Sequence, residues 1–246
     1  MSDENTFQPF PKMARLSREC VITEKIDGTN AQVFIWDETH SVDGVASVGY
    51  PPNGIPWLFK QSRPTGEVYV AAGSRNKWLT TEKNGDNYGF ARWVADNAAE
   101  LVKFGHGRHF GEWWGAGIQR RYGLAEKRFS LFNVERWRAS HGDEYGPGVC
   151  KMICSEDGVE GSTEGPGCCH VVPVIYRGIF DSRTIDLVTE QLRVNGSVAA
   201  PGFMDSEGIV IWHAAARVMF KKTIKDDAQP KSVSQLTSPA RLGIVE

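Results

Sequence analysis

The chain predicts an α+β fold dominated by strands, and three features carry that expectation. Short apolar runs with period-two alternation recur along most of its 246 residues, as half-buried strands require. Only two segments switch to the 3.6-residue period of a helix, and they do not alternate regularly with the strands. Hydrophobic residues at 41% and charged residues at 24% are ordinary values for a globular domain with a core. No internal repeat is visible.

Each element has a local reason. The first twenty residues, with Pro9 and Pro11, read as an extended lead-in. CVITEK (20–25) reads as a strand, DGTN (27–30) as a tight turn and AQVFIW (31–36) as the returning strand of a hairpin, since Asp-Gly supplies positive φ cheaply. Residues 40–66 are rich in Gly, Pro, Ser and Asn and read as a surface loop. VYVAAG (68–73) is the next strand. From Asp86 the period changes: Phe90, Trp93, Val94, Leu101 and Val102 share a helical face, with Asp86 or Asn87 placed to cap it. RHFGEWWG (108–115), RFSLFNVE (128–135) and VVPVIY (171–176) read as further strands. A second helix starts near Asp181, with Ile185, Val188 and Leu192 on one side and Asn195-Gly196 at its end. SEGIVIWH (206–213) and ARVMFKKT (216–223) close the fold as two strands. The expected organisation is one domain over 1–225, with a Cys-containing insertion at about 139–170, and a polar tail at 226–246.

A formal net charge of −2 gives no global electrostatic reason to expect nucleic acid. Arg120-Arg121, Lys127-Arg128, Arg136 with Arg138, and Lys221-Lys222-Lys225 are local basic clusters, each of which taken alone reads as solvated surface. The N-terminus lacks an apolar signal core, and no run of about 18 apolar residues occurs, so a cytoplasmic protein without a membrane partner is expected. Five cysteines without a signal peptide point to a reducing compartment and free thiols. Cys150, Cys154, Cys168 and His170 would supply four ligands for a structural Zn2+, but their spacing is irregular and Cys168-Cys169 are adjacent, which favours free thiols. Cys20 reads as a small core residue, and His106, His109 and His213 as structural or exposed.

The chemistry concentrates around Lys25. In EKIDGTN (24–30) a lysine ends an apolar strand and abuts a glycine turn, so it is held rigidly where backbone N–H groups can face a phosphate. A free ammonium with a pKa of roughly 10 is a poor nucleophile, and burial or a nearby cation must activate it. FGEWWG (110–115) sets Glu112 between aromatics, where a carboxylate needs a partner such as a ribose hydroxyl or a hydrated metal. SEGIVI (206–211) sets Glu207 at the entrance of an apolar strand. In VMFKKT (218–223), alternation sends Phe220 and Lys222 to one face and Lys221 and Thr223 to the other; with Phe220 in the core, Lys221 faces the phosphate.

The ordered set, Lys-x-Asp-Gly, Phe-Gly-Glu, an aromatic-rich strand, Glu-Gly-Ile-Val and a late lysine strand, resembles the motifs of covalent nucleotidyltransferases, the ligases and mRNA-capping enzymes. EKIDGTN is most similar to the RNA-ligase branch that includes phage double-strand RNA ligases and RNA-editing ligases. DNA ligases and capping enzymes usually carry arginine where this chain has Asn30. The resemblance covers residues 20 to 225.

It implies a nucleotidyltransferase (adenylation) domain of two antiparallel β-sheets flanked by helices, with ATP between the sheets. It also implies an ATP-dependent RNA ligase that joins a 3′-hydroxyl to a 5′-phosphate, with a DNA nick ligase or an inactive nucleotide-binding module as alternatives. Lys25 would form lysyl-AMP, Glu24 would contact the adenine amino group, and Asn30 and Arg75 would hold phosphate or ribose oxygens. Glu112 would bind ribose hydroxyls and share Mg2+ (or Mn2+) with Glu207, Phe132 would stack on adenine, and Lys221 would contact the α-phosphate. A second lysine usually follows the first by two residues in the last motif. Here that position is Thr223, with Lys222 adjacent, so the register there is open by one residue. The 25 residues after Lys221 cannot build an OB barrel, so no OB domain is expected and a separate partner would supply any nucleic-acid clamp. Nicked or broken RNA is the implied substrate, and a phage or bacterial origin the implied source.

Overall fold

The computed structural model describes residues 7, 9–10, 12–42, 45–46, 49–140, 146–154 and 160–225. The tail expected at 226–246 and parts of the 139–170 segment lie outside the described residues. In chain order the strands are β1 (Glu19–Lys25), β2 (Thr29–Asp37), β3 (Ser41–Val42), β4 (Val45–Ala46), β5 (Phe59–Arg63), β6 (Gly66–Ser74), β7 (Gly107–Gly115), β8 (Lys127–Leu131), β9 (Trp137–Ala139), β10 (Val149–Cys154), β11 (Glu160–Glu164), β12 (His170–Val171), β13 (Val174–Ile179), β14 (Gly208–His213) and β15 (Val218–Thr223). The helices are α1 (Phe90–Asp96), α2 (Ala98–Leu101) and α3 (Ser182–Asn195).

Two sheets dominate this α+β architecture. One has four antiparallel strands in the order β13-β1-β14-β15, and the other six in the order β12-β8-β7-β2-β6-β5. The larger sheet is not wholly antiparallel, because β12 runs parallel to β8. Strands β9 to β11 form a third sheet, which spans the start of the segment expected as an insertion and places Trp137, just before it, and Val149, within it, in the main core.

Alternation along the strands explains the layers. In β2, Ala31, Val33 and Ile35 point towards α1 and α2, where they pack with Phe90, Val94, Leu101 and Trp113. In β1, Cys20 and Ile22 point the other way, onto Val188 and Leu192 of α3. Between the two sheets lies a smaller cluster of Ile26, Trp114, Tyr122 and Val172, with Val21 and Val174 against it. Residues 21, 23 and 25 of β1 share the face that looks into this gap. Lys25 is the last of them.

The segment 40–66 is not wholly loop, since β5 pairs with β6 at the edge of the larger sheet, and three further expectations need correction. CVITEK and AQVFIW are not a hairpin: β1 pairs with β13 and β14, whereas β2 pairs with β6 and β7. Ile26–Gly28 is a crossover between sheets, and Gly28 is absent from the positive-φ glycines. Its glycine is needed for space, since a Cβ there would sit 2.5 Å from the Trp113 carbonyl and 2.7 Å from Trp114 Cβ. VVPVIY also splits between sheets, β12 in one and β13 in the other, because Pro173 cannot donate to a ladder. The Pro173 carbonyl instead accepts the amide of Glu24. Finally, the helical stretch after Asp86 breaks at Asn97 into α1 and α2, and Gly89 rather than Asp86 or Asn87 is the cap residue of α1. Asp86 still serves that end, since its carboxylate accepts the amide of Ala91 at 2.7 Å.

The crossover yields a first prediction. Gly28→Ala forces a methyl into backbone and a Trp114 stem that cannot yield, an overpacking that costs about 1–3 kcal/mol. Thermal unfolding should show a Tm lower than wild type by roughly 2–10 °C. An unchanged Tm would contradict the close approach.

Candidate active site

At the crossover the two sheets diverge and leave a cavity of about 450 Å³. Its walls carry Lys25, Asp27, Asn30, Glu112 and Glu207 on the sheet side and Arg75, Lys77, Asp86 and Asn87 on the facing loops. The lining is polar throughout, with three cations and four carboxylates.

Lys25 closes β1 opposite Gly208, and Glu207 immediately precedes β14. Pairing of the two strands therefore brings the ammonium and the carboxylate together. Lys25 Nζ lies 2.5 Å from Glu207 Oε2, with side-chain exposures of 24% and 6%. Glu112 stands across from Asn30 in the β2–β7 ladder, and its Oε1 accepts the Gly28 amide at 3.1 Å. Burial, partly offset by Lys25 and that amide and reinforced by Glu207 and Asp27, lifts the Glu112 carboxyl to about 7.

The crossover itself is clamped. The Asp27 amide donates to Tyr122 Oη at 2.8 Å, and Arg120 Nε donates to Asp27 Oδ2 at 3.0 Å. The same guanidinium reaches the Asp205 carbonyl at 2.9 Å and its carboxylate at 2.8 Å. Arg120 thus ties the segment after Lys25 to the segment before Glu207. The loop that delivers Arg120 and Tyr122 holds Gln119, Arg121 and Tyr122 at positive φ, backbone strain that packing on the crossover offsets. On the other wall, Asn87 Nδ2 donates to Thr29 Oγ1 at 2.9 Å.

Of the site residues expected from sequence, Lys25, Asn30, Arg75, Glu112 and Glu207 share this cavity. Glu24 does not reach it. Alternation turns Glu24 to the α3 side, where it is 1% exposed and accepts Ser197 Oγ at 2.6 Å and the amides of Val198 and Ala199 at 2.8 Å each. Both oxygens are thereby engaged away from the cavity, and burial raises its pKa despite these bonds. Lys222 also faces α3, where it pairs with Asp186 at 2.6 Å. Lys221 lies opposite Val210, and that residue opposite Thr23, so Lys221 is on the Lys25 face of the sheet although not on the cavity wall. The choice of face for Lys221 thus agrees with the reading, but its premise does not: Phe220 is 48% exposed rather than in the core. Phe132 is likewise no core aromatic, being an exposed residue just beyond β8.

Asp27, Asp86, Asn87, Lys77, Arg120 and Tyr122 were not singled out from sequence for this site. Asp27 and Lys77 sit within motifs that contain Lys25 and Arg75, which was the available signal; nothing local marked Arg120 as other than a surface charge. Cys20, Cys150, Cys168 and Cys169 are free thiols. Among the described residues no three His, Cys, Asp or Glu side chains converge to hold a metal, and the Cys154 side chain of the expected zinc quartet lies outside them. No helix of the described residues is long and apolar enough to cross a membrane.

A lysine paired to a glutamate at a glycine crossover shares one polar cavity with two more cations and an oxygen-rich wall on an α+β scaffold. The chain belongs to the RNA ligase family, whose model matches residues 18–225. Similar solved structures include an apo mutant of Naegleria gruberi RNA ligase, at 14% identity over 84% of this chain and 50% of that one, with a TM-score of 0.47. An arginine-to-alanine mutant of that ligase with ATP and Mn is similar at 14% identity over 85% and 50%, TM-score 0.47. A lysine-to-methionine mutant with AMP and Mn matches at 13% identity over 85% and 50%, again with a TM-score of 0.47. The chain therefore spans about half the length of these structures. No match was found among curated proteins.

The site predicts a pH signature. The folded-state value of Glu112, about 7, lies above its ordinary 4.5, so the folded protein holds that proton more tightly than the unfolded chain. Ionising Glu112 costs stability as pH rises from about 4.5 to about 7. Glu112→Gln should then melt higher than wild type above pH 7, and the difference should vanish below pH 4.5. A difference that stays constant with pH would contradict the assignment.

Proposed function

We propose that this chain is an ATP-dependent RNA ligase of the nucleotidyltransferase type, which seals a 3′-hydroxyl to a 5′-phosphate through lysyl-AMP on Lys25. The observation that carries it is the Lys25–Glu207 pair at the floor of a polar cavity between the sheets, in a chain of the RNA ligase family.

The steps follow from the groups present. Lys25 Nζ, held in place by Glu207, loses a proton to solvent and attacks the α-phosphate of ATP. An N–P bond forms, the P–O bond to pyrophosphate breaks, and pyrophosphate leaves. A 5′-phosphate oxygen of the RNA next attacks that phosphorus, and Lys25 departs as the amine and is reprotonated. The 3′-hydroxyl then attacks the activated 5′-phosphate and AMP leaves. Arg75 and Lys77 face Lys25 across the cavity and neutralise phosphate charge, and Asn30 holds an oxygen of phosphate or ribose. Lys221, on the Lys25 face of the sheet, would approach the α-phosphate by extending its long side chain. Phe132 offers an exposed ring for the adenine. Glu24 acts by anchoring the loop 197–199 behind Lys25 rather than by touching the base.

A magnesium ion fits this wall. Glu112 and Glu207 would supply oxygen ligands of the kind a hard cation takes, and the repulsion of Glu112 by Glu207 and Asp27, part of what raises Glu112, is what a cation would relieve. Since no three of these side chains converge, phosphate oxygens and water would complete the shell. Bound there, the ion would neutralise charge on the reacting phosphates.

Nick sealing tests the reading. Duplexes with an RNA 3′ strand at the nick should be sealed in the presence of ATP and magnesium, faster than all-DNA nicks, and Lys25→Ala should seal neither. Equal or faster sealing of DNA would favour a DNA ligase; no sealing by wild type, with ATP still bound, would favour a binding module.

A further inference from the structure

Strand β7 carries more than Glu112. Its residues alternate, so that Gly111 and Trp113 turn to the helix side and Arg108, Phe110 and Glu112 to the opposite face. On that face Glu112 lines the cavity, while Phe110 is 47% exposed. Beside it Phe132, whose amide donates to the Phe110 carbonyl at 3.0 Å, is 37% exposed. Isolated exposed apolar residues are common, but two exposed aromatic residues joined by a backbone hydrogen bond next to a charged cavity are not scattered surface.

Arg108 is the next residue along the line, and it is held in place. Its guanidinium lies over the Phe34 ring at 4.5 Å and the Trp78 ring at 5.0 Å, and one of its N–H groups donates to Gln32 Oε1 at 3.0 Å. The side chain is exposed, so its remaining donors face solvent in a fixed direction. Successive outward residues on a strand are about 6.8 Å apart. The face therefore presents, in order from Lys25, a carboxylate at the cavity, an aromatic platform and an oriented cation.

We propose that Phe110 and Arg108 form a landing strip for an unpaired RNA strand whose reacting end lies at Lys25, with a base stacked on Phe110 and a backbone phosphate on Arg108. The proposal rests on the ligase reading for the direction of the strand, and it leaves Phe132 to the adenine. An unpaired strand is the occupant that fits, because only an unstacked base offers its face to an aromatic ring, and the adjoining Arg108 matches a phosphate. A wholly paired duplex offers the cation a phosphate but the ring nothing.

Fluorescence anisotropy with a labelled single-stranded oligoribonucleotide, and with the same strand in a blunt duplex, tests this on the full chain. Phe110→Ala should weaken single-strand binding about tenfold, the scale of one base–aromatic stack, and leave duplex binding nearly unchanged. Phe110→Leu, which keeps apolar bulk without a ring, should weaken it similarly, and Phe110→Trp should restore it. Arg108→Gln should lower the salt dependence of single-strand binding by about one phosphate contact, a slope change of roughly 0.7. Labelling of the variants by α-labelled ATP should match wild type, which shows that they fold. Single-strand binding by Phe110→Ala equal to wild type, or an equal loss for strand and duplex, would overturn the strip. If wild type itself takes no label while Phe110 still governs single-strand affinity, the ligase reading falls and the strip stands.

Discussion

The structure depends on one crossover, where the chain leaves the four-stranded sheet at Lys25 and joins the six-stranded sheet at Thr29. With three residues to pass between layers, the backbone at Gly28 must press against Trp113 and Trp114. That contact fixes how far apart the sheets stand beside Lys25. The stem of Lys25 starts from a fixed backbone, because β1 pairs with β13 as far as Thr23 and with β14 as far as Lys25, which sits opposite Gly208. The floor of the cavity is therefore set by the backbone, and the lining side chains project from it.

Electrostatics does the remaining work. Four carboxylates and three cations share one cavity, and the buried members are unevenly compensated: Lys25 satisfies Glu207, while Glu112 has one amide and is driven towards its neutral form. An anionic triphosphate would meet the cations Arg75 and Lys77 on the loop side, and a divalent cation would meet the carboxylates on the sheet side. Behind this wall Glu24, Arg120 and Tyr122 act on the backbone. Glu24 binds the loop that follows α3, and the other two bind the crossover, so the pair at the centre is braced from both directions.

The strands and the second helix were legible because burial on one face imposes period two or period 3.6 on the residues themselves. The motifs around Lys25 and Glu207 were legible because one ends a strand and the other immediately precedes one, where a side chain can leave the core, and Glu112 because a carboxylate set among aromatics within a strand needs a partner. Pairing was not. Asp-Gly after Lys25 signals a change of direction, and whether that makes a hairpin or a crossover is decided by partners nearly two hundred residues away, such as the Lys25–Gly208 register. VVPVIY looked continuous because an apolar run carries no mark of which sheet owns it. Glu24 adjoins Lys25 in sequence yet faces the other layer, as any neighbour in a strand must. Arg120 looked like solvated charge because its acidic partners, Asp27 and Asp205, are brought to it only by the fold.

The central claim, that one amine at the crossover becomes covalently bonded to a nucleotide, is tested most directly by mass spectrometry of the protein after incubation with ATP and magnesium. The account predicts a single adenylyl group, localised to the peptide that contains Lys25 and released as AMP when RNA ends are added. An adduct on any other residue, or none while RNA ends are still joined, would contradict it.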